Sequence, residues 1–179
     1  MTPTIYLDID GVLNDGAWLE DTERMELRLR ARQREPGAGL ESAIADIDPA
    51  RAKLVAGLVE EVGARVVLCS AWRYVVGYET CHAALLRHGI RLDGATQPPR
   101  MSDHHPWYRR VRPILLDIDT LPAGTPWVVL DDEVPCDPGW VSSQWDGRYD
   151  IDHARCVTPQ DGVTAGDIER ARVILRGGA

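Results

Sequence analysis

The chain has 179 residues, 44% of them hydrophobic and 27% charged, which is enough for one globular domain with a substantial core. Its net charge of -8 weighs against extended nucleic-acid binding, which depends on neutralising many phosphates, but leaves room for a local basic pocket. No apolar run is long enough to span a membrane and no basic-then-apolar signal segment opens the chain, so a soluble, cytoplasmic protein without a membrane partner is expected.

The first element is the short apolar run Thr4 to Leu7, which reads as a buried strand. Asp8 and Asp10 follow at its end, and strand alternation places both on one side, where each raises the other's proton affinity unless a cation lies between them. Gly11 then lets the backbone turn tightly. The mouth at the carboxyl end of a strand is where open α/β sheets bind ligands, so this stretch points to a magnesium-dependent phosphoryl site. A plain turn also carries Asp-x-Asp-Gly. A calcium loop is disfavoured, because Leu13 and Leu19 stand where an EF-hand counted from Asp8 needs its glycine and glutamate.

Asn14-Asp15-Gly16 is a turn signal, and a charged helix is expected from about Asp21, its N-cap, towards Arg34 before Pro36-Gly37-Ala38-Gly39 breaks it. Residues 15–48 are too few for a second domain and form at most a small lid, or else a solvated connection. Asp48-Pro49 opens a helix with the stripe Leu54, Val55, Leu58, Val59 and Val62, closed by Gly63.

Arg65 to Cys69 reads as a buried parallel strand, followed at once by Ser70-Ala71-Trp72-Arg73. A helix is expected over Glu79 to Arg87, a short strand at Ile90 to Leu92, and a loop from Thr96 to Pro106. His104 and His105 lie in that loop without a third ligand at suitable spacing and read as plain loop residues. Trp107 to Leu116 suggests a helix in which Pro113 fits only the first turn.

Trp127 to Leu130 is a fourth buried strand, ending in Asp131-Asp132. A loop runs to Asp152, a fifth strand is expected within Ala154 to Val157, and Thr164 or Asp167 caps a last helix. The four cysteines form no Cys-x-x-Cys pair, which disfavours zinc and fits a reducing compartment; Cys69 and Cys156 read as small buried hydrophobes.

Strands alternating with helices predict a parallel sheet with helices on both faces, a three-layer doubly wound α/β fold of Rossmann-like type. Three strand ends carry polar chemistry, at Asp8/Asp10, at Ser70 and at Asp131/Asp132, and a parallel sheet gathers them on one edge.

With Asp8-Ile9-Asp10-Gly11-Val12, Leu68-Cys69-Ser70, a basic residue before a helix, and Leu130-Asp131-Asp132 in that order, the sequence resembles the haloacid dehalogenase (HAD) superfamily of phosphatases and phosphotransferases over nearly its whole length. It is similar to the small HAD domains of RNA-repair-associated and phage proteins, through Leu7 to Asn14, Ser70-Ala71-Trp72-Arg73 and Asp161-Gly162-Val163-Thr164. The resemblance implies a single HAD-like domain over 1–179. It implies Asp8 as nucleophile, forming an aspartyl-phosphate, and Asp10 as the acid for the leaving oxygen and the base for water. It also implies Mg2+ held by Asp8, by Asp10 through its backbone carbonyl, and by Asp131 and Asp132, with Ser70 donating to a phosphoryl oxygen.

The phosphate-neutralising cation is expected at Arg110, with Arg109 and Arg112 as alternatives. Arg73 either holds substrate phosphate or caps its own helix, Gly11 lies against the substrate, and Trp72 is expected to pack on the sheet rather than stack on a base. A phosphomonoester hydrolase is therefore expected, acting on a phosphorylated small molecule or a nucleic-acid terminus such as a 3′-phosphate. A phosphotransferase of the same fold and a non-catalytic nucleotide- or partner-binding module are the alternatives.

Overall fold

The computed structural model describes residues 1–23, 25–26, 29–30, 39–98, 106–134 and 151–177, the side chains of 106–110 and 153 excepted. Five strands, β1 (Thr4–Leu7), β2 (Arg65–Leu68), β3 (Gly94–Ala95), β4 (Trp127–Leu130) and β5 (Cys156–Val157), form one all-parallel sheet in the order β3-β2-β1-β4-β5. The chain builds outward from β1 on one side through β2 and β3, then crosses back to add β4 and β5 on the other. The strand order therefore reverses between β1 and β4, the place where doubly wound sheets open a crevice.

Successive residues of each strand face opposite sides, and the burial follows that period. Ile5, Leu7, Val66, Leu68, Val128, Leu130 and Val157 join one apolar cluster, whereas Tyr6, Val67, Cys69, Val129 and Cys156 join another. The first cluster takes its helical residues from α2 (Leu40–Ala45), α3 (Pro49–Val62), α4 (Tyr78–Arg87) and α6 (Ala165–Leu175). The second takes Val111 and Ile114 from α5 (Pro106–Ile118). Three layers result, as expected. On the second face the phenol of fully buried Tyr6 donates to Asp117 Oδ2 at 2.8 Å, and burial first, then that carboxylate, pushes the phenol far above its ordinary pKa.

Local chemistry explains most boundaries. Asp48 caps α3 through Ala50 N–H with Pro49 in the first turn, and Gly63 ends it in the left-handed region at φ 62°. Thr164 caps α6 in a capping box with Asp167.

Several expectations need correction. A short helix that was not expected, α1 (Gly16–Glu20), capped by Asp15 accepting from Trp18 N–H, precedes Asp21; from there residues 22–23, 25–26 and 29–30 are helical, as expected, and 31–38 lie outside the described residues. The third strand lies at Gly94–Ala95 rather than Ile90 to Leu92. Ile90 is fully buried for another reason: its N–H returns to Leu85 O and closes the end of α4, with Gly89 at φ 83°.

Pro113 sits inside α5, not in its first turn. A proline there costs about 3 kcal/mol, and the burial of Val111 and Ile114 on either side holds the helix against that cost. The fifth strand is confined to Cys156–Val157, preceded by a 3-10 turn at His153–Arg155. His104, His105 and Cys136 lie outside the described residues. Among the described residues no helix is long and apolar enough to cross a membrane.

Both ends of the segment joining β1 to α3 are clamped to the body of the domain. Helix α2 packs on α4, Ser42, Ala43 and Ile47 are buried, and Asp48 N–H donates to Leu13 O at 2.8 Å. Val163 N–H donates to Val12 O at 2.8 Å, so the segment before α6 also holds the loop after β1. Between them lies Arg51, bonded to Asp15 Oδ2 at 2.5 Å and 3.5 Å from Asp48 Oδ2. Gly162, at φ 79°, leaves space for this guanidinium, since a Cβ there would fall 2.2 Å from it.

The bond from Arg51 holds the Asp15 carboxyl below the usual carboxylate range. A group with a lowered folded-state pKa stabilises the fold fully above its unfolded value, about 4, and loses that contribution as pH falls through the folded value. Asp15→Asn keeps the cap on α1 but removes the charge. It should lower stability near neutral pH by about 1–3 kcal/mol, and the deficit, followed by thermal unfolding, should shrink as the pH falls from about 5 to about 2. A deficit independent of pH would contradict this account of the clamp.

Candidate active site

The register of the central strands sets the geometry. Leu7 pairs with Leu130 across β1 and β4, so the next residues along, Asp8 and Asp131, leave the sheet side by side at the switch point. Both are fully buried. With the partly exposed Asp132 they form a cluster whose ligand oxygens lie within 4.8 Å of one another.

Backbone donors fix two of these carboxylates. Asp8 Oδ1 accepts from Ile9 N–H at 2.8 Å. Asp131 Oδ1 accepts from Glu133 and Val134 N–H at 2.9 and 3.1 Å, and its Oδ2 lies 3.8 Å from the Cys69 thiol. Gly11, at φ 69°, stands under the third, for a Cβ at this position would fall 2.1 Å from Asp132 Oδ2. The glycine is required both by its backbone conformation and by the carboxylate lying on it. All-oxygen donors of this kind, anionic and partly dehydrated, fit a hard divalent cation such as Mg2+ and do not suit a soft metal.

On the other side of β1, Leu7 pairs with Leu68 and Cys69 N–H donates to Leu7 O at 2.9 Å. This brings the end of β2 beside Asp8 and places Ser70, 1% exposed, at the same edge. Ser70 Oγ accepts from Trp72 N–H at 3.3 Å, an arrangement that leaves the hydroxyl proton for another acceptor. The Arg73 guanidinium lies on the carbonyls of Cys69 and Ser70 and over the Tyr74 ring, 4.3 Å from its centroid. It thus braces the end of β2, beside Ser70. Past it, Arg73–Gly77 form a π-helical turn that leads into α4.

Asp10 stands apart from the three clustered carboxylates. It is exposed, and both of its oxygens are held by neutral donors: Oδ1 by Asn14 Nδ2 at 3.1 Å and Oδ2 by the Trp72 indole N–H at 2.8 Å. Asn14, 1% exposed, also accepts from Gly11 N–H at 3.1 Å and donates to Asp46 O at 3.2 Å.

The structure therefore brings Asp8, Asp10, Gly11, Ser70, Asp131 and Asp132 to one edge of the sheet. The side chains of Arg109 and Arg110 lie outside the described residues, while Arg112 is half-buried on α5. Sequence reasoning missed the tethering of Asp10 by Asn14 and Trp72. Trp72 does pack against the core cluster as expected, but its indole N–H faces Asp10. The signal available was an indole donor two residues past Ser70, just beyond the end of the strand that neighbours β1.

Among known families, the model described as the HAD domain in Swiss Army Knife RNA repair proteins matches residues 4–168. No curated protein and no solved structure matches the chain. The match spans every strand and both acidic strand ends.

An alanine at Gly11 would strain the turn and push Asp132 away from Asp8 and Asp131. Gly11→Ala should weaken the binding of a divalent cation, read by calorimetry, by about 10-fold or more. Unchanged affinity would show that Asp132 does not belong to the cation site.

Proposed function

Because the chain belongs to the HAD domain family of Swiss Army Knife RNA repair proteins, a phosphoesterase-type family, we propose that it is a magnesium-dependent phosphomonoester hydrolase. The substrate class is a phosphorylated terminus, such as a nucleotide or a polynucleotide 3′-phosphate. The observation that carries this reading is the cluster of Asp8, Asp131 and Asp132 at the switch point, with a further acid, Asp10, held just outside it. The net charge of -8 favours recognition of a chain end over a long duplex contact.

In this reading Asp8, Asp131, Asp132 and the backbone carbonyl of Asp10 hold Mg2+. When bound, the ion supplies positive charge that offsets the pooled carboxylates and the phosphoryl oxygens. A carboxylate oxygen of Asp8 attacks phosphorus, the bond from phosphorus to the leaving oxygen breaks, and Asp10 delivers a proton to that oxygen. Asp10, now a carboxylate, then takes a proton from the water that attacks the aspartyl-phosphate, releasing inorganic phosphate and restoring the Asp8 carboxylate and the protonated Asp10. Ser70 donates to a phosphoryl oxygen throughout, and an arginine of the Arg109–Arg112 segment, Arg110 foremost, neutralises the transferred group.

Asp8→Asn preserves the shape of the nucleophile and removes its reactivity. With magnesium and a panel of phosphomonoesters that includes 3′-phosphorylated oligonucleotides, the wild type should release phosphate, and the variant should lose on the order of 10³-fold or more in kcat. Retention of a sizeable fraction of the rate in Asp8→Asn would overturn the assignment. A wild type that binds nucleotides but turns over no phosphomonoester would instead favour a non-catalytic binding module.

A further inference from the structure

We propose that Trp72 and Asn14 are positioning residues that hold the Asp10 carboxylate in its proton-transfer orientation. The proposal rests on the phosphohydrolase reading and adds to it a device for aiming the acid.

An aspartate carboxyl rotates in a broad torsional well, and an exposed one samples it freely. Asp10 is exposed, yet its oxygens accept from opposite partners, Asn14 Nδ2 on Oδ1 at 3.1 Å and Trp72 Nε1 on Oδ2 at 2.8 Å. A group held through both oxygens keeps one orientation.

The two donors are themselves fixed. The Asn14 amide has its oxygen on Gly11 N–H and its nitrogen shared between Asp10 and Asp46 O, which settles the orientation of a buried amide. The Trp72 ring packs on the core, and its indole nitrogen is a donor only, so the sole role it can play toward a carboxylate is to hold it. Trp72 also donates through its backbone N–H to Ser70 Oγ at 3.3 Å. One residue on the β2 side thus orients the acid carried by β1 and touches the hydroxyl expected to bind phosphate.

As a contribution to folding, a hydrogen bond of this exposure adds little. Its consequence lies in the reaction, where general acids contribute through alignment with the leaving oxygen as much as through acidity.

Trp72→Phe keeps the packing ring and removes the N–H. Under single-turnover conditions with enzyme in excess, leaving-group release from adenosine 3′-phosphate, a poor leaving group, should slow by about 10-fold or more. Release from 4-nitrophenyl phosphate, whose leaving group departs without a proton, should fall by no more than about twofold, and KM for both should stay within about twofold of wild type. Equal losses for the two substrates would mark a general distortion of the site and overturn the proposal, as would no loss for either. Wild-type protein inert towards both would overturn the phosphohydrolase reading, and this one with it, by a result distinct from an equal-loss pattern.

Discussion

The arrangement depends on one costly juxtaposition, the gathering of like charges at the end of a dry sheet. Asp8 and Asp131 are fully buried neighbours, and Asp132 brings a third carboxylate to within 4.8 Å. At an effective dielectric of about 20, two such charges repel by on the order of 3 kcal/mol. Backbone N–H groups of Ile9, Glu133 and Val134 offset part of this. A divalent cation at the oxygens would reverse its sign. The surroundings serve this requirement. The in-register pairing of β1 with β4 sets the two strand ends level, and Gly11 yields the space that Asp132 occupies. The backbones of Asp48 and Val163 then clamp the loop after β1 from outside.

Two kinds of carboxylate therefore stand a few residues apart in one loop. Asp8 is buried among charges and backbone donors, a setting that suits a cation. Asp10 is exposed and held by an amide and an indole, neither of which can neutralise it. Placing two acids in unlike environments is how one site divides nucleophilic from acid-base work. Strand alternation alone puts them on one side. The turn beginning at Asp10 separates them.

The acidic strand ends were legible because they are local: a short apolar run followed at once by Asp or Ser is a pattern within one strand. The parallel order followed from the alternation of strands and helices. What could not be read depended on partners distant in sequence. Ile90 and Leu92 are as apolar as a strand but serve the end of α4 and the core, while the pairing with β2 falls to Gly94 and Ala95, which carry no strand signal. Pro113 broke a local rule that core packing overrides. Trp72 looked like packing because its apolar ring does pack; the single polar atom that reaches Asp10 becomes visible only when β1 and β2 lie side by side. Arg73 carried a charge that suggested phosphate, and its guanidinium lies on two carbonyls of its own chain.

The claim that Asp8 forms a covalent bond to phosphorus can be tested without reference to the substrate used in the cell. Wild-type protein with magnesium and a 32P-labelled phosphomonoester would be quenched in acid during the first turnover, then reduced with borohydride, which converts an aspartyl-phosphate to homoserine. The account predicts acid-stable, base-labile label on the protein and homoserine at position 8 alone. Phosphate release with no protein-bound label and no homoserine, under conditions where a known aspartyl-phosphate is trapped, would contradict it.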